Sequence, residues 1–386
     1  MSLKLEIESF KSIGKIEMEL GHLTILIGPP AAGKSNILDA LGLVGYLHRF
    51  KLLDREYRNN AGNVEPLILI ARYQDIIQLF RYNELSKPVK IRVSGDVALN
   101  YEISFTAGAL RVLVNDKQLP WDLRVLRSDP MSELQNFAKL LPTFETRLYG
   151  FDRFSLISEI CATPLLCGLQ YRLSSLSQVR DTPLSILSEL GWNSPYIVRK
   201  HQLVVRDIND VLRERLDERV EVKVRKTGEV IVYDYDYEVE AVGVSESIYR
   251  TLYNLLALKS SHYYVKYYGL EMKFVVLLEE PEAHVFPYFL DLIANSIREL
   301  ISDVYVVVTT HNPLFASLLC DKVKETKLYY TYRCKDGSTC IRELDIDKMA
   351  KELVSIEDIL FKPPSEVLEK YAIEVAKVEE SRASSS

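Results

Sequence analysis

The run Gly28-Pro29-Pro30-Ala31-Ala32-Gly33-Lys34-Ser35 constrains this chain more than any other stretch. It follows the apolar segment Leu23-Thr24-Ile25-Leu26-Ile27 and opens a helical pattern over residues 36–47. Glycine, four residues, then Gly-Lys-Ser, set between a buried strand and a helix, is the arrangement that cradles phosphates. Backbone N–H groups of such a turn meet anionic oxygens at a helix N-terminus, where the peptide dipoles already favour negative charge. Lys34 adds a fixed cation for the β- and γ-phosphates, and Ser35 a hydroxyl for Mg²⁺. Asn36, next along the helix, joins the phosphate-binding set, and the expected ligands are ATP and Mg²⁺.

Two further apolar runs end in chemistry. Lys273-Phe274-Val275-Val276-Leu277-Leu278 reads as a strand buried on both faces, as in a parallel sheet. It ends in Glu279-Glu280-Pro281-Glu282-Ala283-His284. Adjacent carboxylates at the end of a buried strand are costly unless a cation or a water network uses them. In a nucleotide enzyme the first can hold the metal shell and the second can orient or deprotonate the attacking water. An acidic strand-end loop is the plainer alternative. Val304-Tyr305-Val306-Val307-Val308 ends likewise at Thr309-Thr310-His311-Asn312-Pro313. A lone histidine after a strand is usually structural, but its order after the two preceding motifs points to the nucleotide.

About 245 residues separate Lys34 from Glu279. Residues 4–20 alternate apolar and polar around Ser12-Ile13-Gly14 and read as a hairpin. His48-Arg49-Phe50-Lys51, with Arg55 and Arg58, has the composition of a nucleic-acid contact, though a solvated helix end accounts for it more simply. Residues 66–80 fit a helix, or a strand followed by a helix. Residues 88–120 alternate in three blocks separated by Gly95, Gly108 and Asn115-Asp116, an antiparallel meander. Residues 121–216 change to helix-like spacing broken by prolines, an inserted helical unit. Strands return at 220–224 and 230–233, a further hairpin is expected over 327–344, a helix over 349–359 and another from Pro364 to about 378.

These motifs carry a resemblance. Ile7-Glu8-Ser9-Phe10-Lys11-Ser12, a strand, then the phosphate loop continuing Asn36-Ile37-Leu38-Asp39-Ala40, resembles the opening of the RecF, SMC and OLD-type ATPases of the ABC class. Leu277-Leu278-Glu279-Glu280-Pro281-Glu282-Ala283-His284 is similar to the Walker B signature of the OLD and RecF-like group. The resemblance implies an α/β fold, an ABC-type P-loop NTPase head with an antiparallel β subdomain and an inserted helical unit. It makes Glu279 the metal-side carboxylate with Ser35, Glu280 the catalytic base and His311 the γ-phosphate sensor. Glu282 and His284 fall in the loop that contacts an opposite subunit. Ser245 stands at the start of the signature helix, contributing to the partner's nucleotide site, but Ser247 occupies a place where glycine is usual and lets backbone approach closely. Gln74 and Gln78 are candidates for the glutamine loop.

The resemblance covers about residues 3–45 and 240–345, and divides the chain into a discontinuous head (1–120 and 217–345), the insertion (121–216) and a helical tail (346–386). It implies ATP hydrolysis with Mg²⁺, a homodimer through ATP-bound heads, and work with DNA or a nuclease partner in DNA repair or phage defence. The long coiled coil of SMC proteins is missing, which favours the RecF and OLD side; no Toprim nuclease segment is recognised, so nuclease activity is expected from a partner. A nucleotide-loaded scaffold that barely hydrolyses ATP is the alternative. The Gly-Gly-Gln signature of transport ATPases is missing.

Composition sets the remaining bounds. With 47% hydrophobic and 26% charged residues the chain reads as globular. A net charge of −6 argues against a uniformly basic nucleic-acid coat. No apolar run reaches a membrane span and no signal-peptide layout opens the chain, so no membrane partner and a cytoplasmic location are expected. Cys161, Cys167, Cys320, Cys334 and Cys340 form no Cys-x-x-Cys pair. Cys334 and Cys340 flank a turn and can face each other, but free thiols are the expectation for a cytosolic protein.

Overall fold

The computed structural model describes residues 3–45, 71–72, 75–106, 109–118, 144–149, 186–187, 189, 193–215, 219–226, 228–239, 244–268 and 273–373. The basic stretch from His48 to Arg58, Gln74, Cys161, Cys167 and most of the expected helical insertion lie outside them.

Strands β1 (Leu3–Phe10) and β2 (Ile13–Leu20) form the expected hairpin, Leu3 facing Leu20 and Phe10 facing Ile13. Ser9 takes φ 56° between the pairs Glu8–Lys15 and Phe10–Ile13, which keep the same register on either side of it, and Phe10 beyond it is buried. β3 (Leu23–Ile27) is buried throughout and feeds the phosphate loop, from which α1 (34–45) leaves. The meander β4 (Val89–Ser94), β5 (Leu99–Thr106), β6 (Ala109–Val114) and β7 (Lys117–Gln118) joins the sheet by pairing β4 antiparallel with β1.

One strand corrects the expectation of a purely helical middle. β8 (Phe144–Tyr149) pairs parallel with residues 273–278 and fixes itself to α1, where Thr146 Oγ1 donates to the Leu41 carbonyl at 2.7 Å. Helices α2 (Ser194–Lys200) and α3 (Gln202–Arg215) follow, then a separate three-stranded sheet of β9 (Val220–Val224), β10 (Val230–Asp234) and β11 (Tyr237–Val239). The rest alternates: α4 (Glu246–Tyr268), β12 (Lys273–Glu279), α5 (Pro287–Leu300), β13 (Tyr305–Thr309), α6 (Pro313–Lys322), then the hairpin β14 (Thr326–Arg333) and β15 (Thr339–Glu343).

Among the described residues the main sheet runs β7-β6-β5-β4-β1-β2-β15-β14-β3-β13-β12-β8. Its left half is antiparallel, while β14, β3, β13, β12 and β8 are parallel to one another. β12 and β13 are apolar between their end residues because both faces are covered. Leu23, Ile25, Ile27, Phe274, Val276, Leu278, Val306 and Val308 enter the core formed with α2 to α6. Leu26, Val275, Leu277 and Val307 enter the core beneath α1 and the meander. Strand pleating sends alternate side chains to opposite sides, so a polar residue at either parity would meet a packed core.

Two details at the C-terminal end differ from expectation. The helix expected over 349–359 is split into α7 (Ile346–Lys351) and α8 (Ile356–Phe361), because Leu353 takes φ 56° and Ser355 starts a new capping box with Asp358. α9 (Pro364–Tyr371) follows. Cys334 and Cys340 are disulfide-bonded, with Cα atoms 5.7 Å apart, where free thiols were expected. The register sets this: Tyr332 faces Cys340 and Arg333 faces Thr339, which brings Cys334 across the turn. No helix among the described residues is long and apolar enough to cross a membrane.

Candidate nucleotide site

Parallel register is what brings the three motifs together. Glu279 at the end of β12 lies beside Thr309 at the end of β13, and Thr309 beside Leu26 near the end of β3. The three loops therefore leave the sheet at the same level, at the carboxyl ends of adjacent strands, where open α/β sheets bind ligands. A cavity of about 190 Å³ there is lined by residues 31–36, Arg72, His311 and Arg333. A larger hollow of about 1070 Å³ lies over β1, β2 and β4, lined by residues such as Lys4, Arg92 and Tyr329 and by none of the motif residues.

Only glycine fits at the two fixed points of the loop. Gly28 has φ 137°, and a Cβ there would stand 2.1 Å from the Thr331 carbonyl oxygen. Gly33 has φ 105°, with Thr339 Oγ1 at 2.0 Å from the same imagined atom. Lys34 is 4% exposed, and its Nζ donates to the Gly28 carbonyl at 2.8 Å and to the Pro29 carbonyl at 3.1 Å. Burial pulls its pKa down to about 8, against the opposing pull of the Glu280 and Glu282 charges. Asn36 donates to Ser12 Oγ at 2.6 Å, which ties the helix start to the β1–β2 turn.

Lys34 Nζ is 3.5 Å from His311 Nδ1, and His311 Nε2 is 3.2 Å from Glu280 Oε1. The ring thus stands between the ammonium and the carboxylate, with Nδ1 toward Lys34 and Nε2 toward Glu280. Glu280 takes φ 44° and donates its N–H to the Thr309 carbonyl at 3.0 Å. A left-handed glutamate held by its neighbours is the kind of local strain found at functional sites. Glu279 accepts from Arg72 Nη1 at 3.2 Å, and the other arm of Arg72 reaches Asp39 at 3.2 Å. Asp39, fully buried on α1, is also paired with Lys11 at 2.6 Å; leaving such a carboxylate without its cations costs roughly 3–5 kcal/mol.

Glu282 sits elsewhere than the resemblance implies. It is buried, accepts from Thr310 Oγ1 and from the His311 N–H, and so braces the histidine loop of its own chain. Burial raises its pKa, and its Oε2 is buried with no hydrogen-bond partner among the described residues. His284 lies 3.8 Å from Glu246. Ser245 precedes α4 and does not line the cavity of its own chain. Ser247 Oγ accepts from the Phe286 N–H at 2.8 Å, joining the signature helix to the loop after Glu280. Gln78 hydrogen-bonds at Asp75 in a short 3-10 helix and does not line the cavity.

Arg72 and Arg333 are the cavity residues that no local pattern marks. Their long stems bring charge from segments distant in sequence, so only the folded chain reveals them. For Lys34 a pH effect follows from the lowered pKa. Phosphate oxygens favour the charged amine, so nucleotide binding takes up a proton near pH 8, and affinity falls as pH rises through that value. Calorimetry at pH 7 and 9, in buffers of different ionisation enthalpy, reads both the uptake and the fall; affinity flat over that range would contradict the assignment.

No family model matches the sequence, and no curated protein matches it. In fold the chain is similar to an SmcHead bound to the C-winged helix domain of ScpA, with TM-score 0.53 and 15% identity over 90% of this chain and 98% of that one. It is similar too to an Smc head domain with an extended coiled coil, bound to the C-terminal domain of ScpA derived from Pyrococcus furiosus. There the TM-score is 0.52 and the identity 15%, over 92% of this chain and 98% of that one. Such low identity speaks for architecture alone: the chain has the fold of these solved Smc head domains.

Proposed function

We propose that this chain is an ATP-hydrolysing head of the ABC class, of the RecF/OLD-like kind, binding ATP with Mg²⁺ at the Lys34 site. The observation that carries the reading is the contact chain from Lys34 through His311 to Glu280, made by three loops from adjacent parallel strands. Lys34 exchanges the Gly28 and Pro29 carbonyls for phosphate oxygens. Glu280 orients the attacking water and takes its proton, while the His311 ring holds the carboxylate in position and faces the γ-phosphate. The Ser35 hydroxyl, without a hydrogen-bond partner among the described residues, and Glu279, whose Oε1 accepts from Arg72, are the hard oxygen donors that would hold Mg²⁺, and the ion would supply neutralising charge for the phosphates.

The site is complete in this reading only when Ser245 and the N-terminal end of α4 from a second copy cap the γ-phosphate. Specific ATPase activity is therefore expected to rise with protein concentration, as the homodimer forms. Phosphate release from Mg-ATP, measured over a hundredfold range of protein, tests this directly; concentration-independent activity sinks the shared-site model. DNA, or a nuclease partner in repair or phage defence, is the proposed context. It rests on the RecF/OLD-like motifs, and a protein partner also accords with the ScpA domains bound to the solved Smc heads. The discontinuous head and the helical tail are kept as the proposed division of the chain. A nucleotide-loaded scaffold is the second reading. It draws on Ser247, a side chain where close backbone approach is usual, and absence of phosphate release at every concentration would establish it.

A further inference from the structure

The hairpin β14–β15 forms one wall of the phosphate loop. Thr331 and Thr339 stand against the loop's two glycines, and Thr339 Oγ1 shares a hydrogen bond with Ser12 Oγ at 2.6 Å. The turn between the strands is closed by the Cys334–Cys340 disulfide and by Asp336 Oδ1, which accepts from the Ser338 N–H and hydroxyl. From outside, Arg81 Nη2 donates to Asp336 Oδ2 at 2.8 Å and the Tyr82 hydroxyl to the Asp336 carbonyl.

Arg333 immediately precedes the disulfide and is fixed at two points. Its Nε donates to the Ala31 carbonyl at 2.8 Å, inside the phosphate loop, and its Nη1 to the Gly337 carbonyl at 3.0 Å, across the turn. Its Nη2 has no partner among the described residues, and the side chain lines the cavity that holds Lys34 and Ser35. Two nitrogens of a rigid planar fork are thus spent on position and the third is left as a donor. A cation held in this way loses little freedom on meeting an anion. We propose that Arg333 is a nucleotide-binding residue that donates to a phosphate oxygen, and that the disulfide-closed turn holds it in place. This rests on the ATP-binding reading of the same site.

Calorimetric titration with ATP and with inorganic tripolyphosphate tests it. R333A is expected to weaken both by roughly ten- to a hundredfold, the scale of one charge-assisted hydrogen bond. R333Q retains a donor for the Ala31 carbonyl without the charge. Loss in both variants supports a phosphate contact; loss in R333A alone traces the effect to the loop hydrogen bond and overturns the proposal. The doubly substituted C334S/C340S protein is expected to lose several-fold in affinity when Arg333 is present and nothing further when R333A is added to it beyond the R333A loss. An equal loss from the cysteine changes in both backgrounds would mean that the turn acts without Arg333, and would overturn the second half. Unaltered ATP affinity in R333A, with binding lost in Lys34→Ala, refutes the inference and leaves the site reading standing. A parent protein that binds neither probe refutes both.

Discussion

Glu280→Gln is expected to keep ATP bound while hydrolysing it at least about a hundredfold more slowly than the parent, the scale of a lost general base. The amide fills the same volume and can still meet His311 Nε2 and the water, but it cannot take a proton at neutral pH. The backbone at Glu280, held by its N–H bond to Thr309, does not depend on the side chain's charge. Nucleotide affinity should therefore survive, and a slow dimer should accumulate. Sedimentation with and without Mg-ATP reads the assembly, and phosphate release reads the rate. Parental turnover would remove Glu280 as the base. Glu282 could not simply replace it, because that carboxyl is buried against Thr310 and the His311 N–H.

Lys34→Ala is expected to abolish measurable ATP binding, since it removes the cation at the centre of the loop. Folding should respond in the opposite sense. A lysine whose pKa falls from 10.5 to about 8 on folding carries charge into a place that disfavours it. A fall of that size corresponds to roughly 3 kcal/mol of penalty at pH 7. The unfolded chain binds the extra proton between pH 8 and 10.5, so this lysine makes ligand-free stability rise with pH across that window. The alanine variant loses two hydrogen bonds to carbonyls but also escapes the penalty, so without ligand it should melt no more than a few degrees below the parent at pH 7. Melting far below the parent would mean that Lys34 supports the fold, and the binding result would then need a second variant such as Lys34→Met. An ATP affinity equal to the parent's would refute the site itself.

What the sequence displayed and what it concealed divide along physical lines. The phosphate loop, the paired carboxylates and the histidine loop were legible because each follows a strand buried on both faces, which writes an uninterrupted apolar run just before the chemistry. The hairpins of residues 3–20 and 326–343 and the meander were legible because local turns set their registers. β8 was not, since its pairing with β12 is parallel and joins residues more than a hundred positions apart. Glu282 was read by analogy as facing a partner, whereas its burial beside Thr310 depends on where β13 ends. The disulfide was within reach of the hairpin register, and an assumption about compartment set it aside. Arg72 and Arg333 carry no pattern at all, because a long side chain needs only a nearby backbone, not a motif, to reach a site.

The position of β3 bears on how the protein is made. Its strand partners are β13 and β14, with Leu23 beside both Val306 and Thr326, so the phosphate loop near the start of the chain is walled by residues synthesised about three hundred positions later. At about 5–20 residues per second, the interval on the ribosome is roughly fifteen seconds to a minute. Throughout it Leu23–Ile27 is an apolar strand with neither neighbour available, the kind of segment that invites chaperones or wrong pairings. A nascent chain that stops before Thr326 carries every residue of the loop and lacks the β14 wall against which it is shaped.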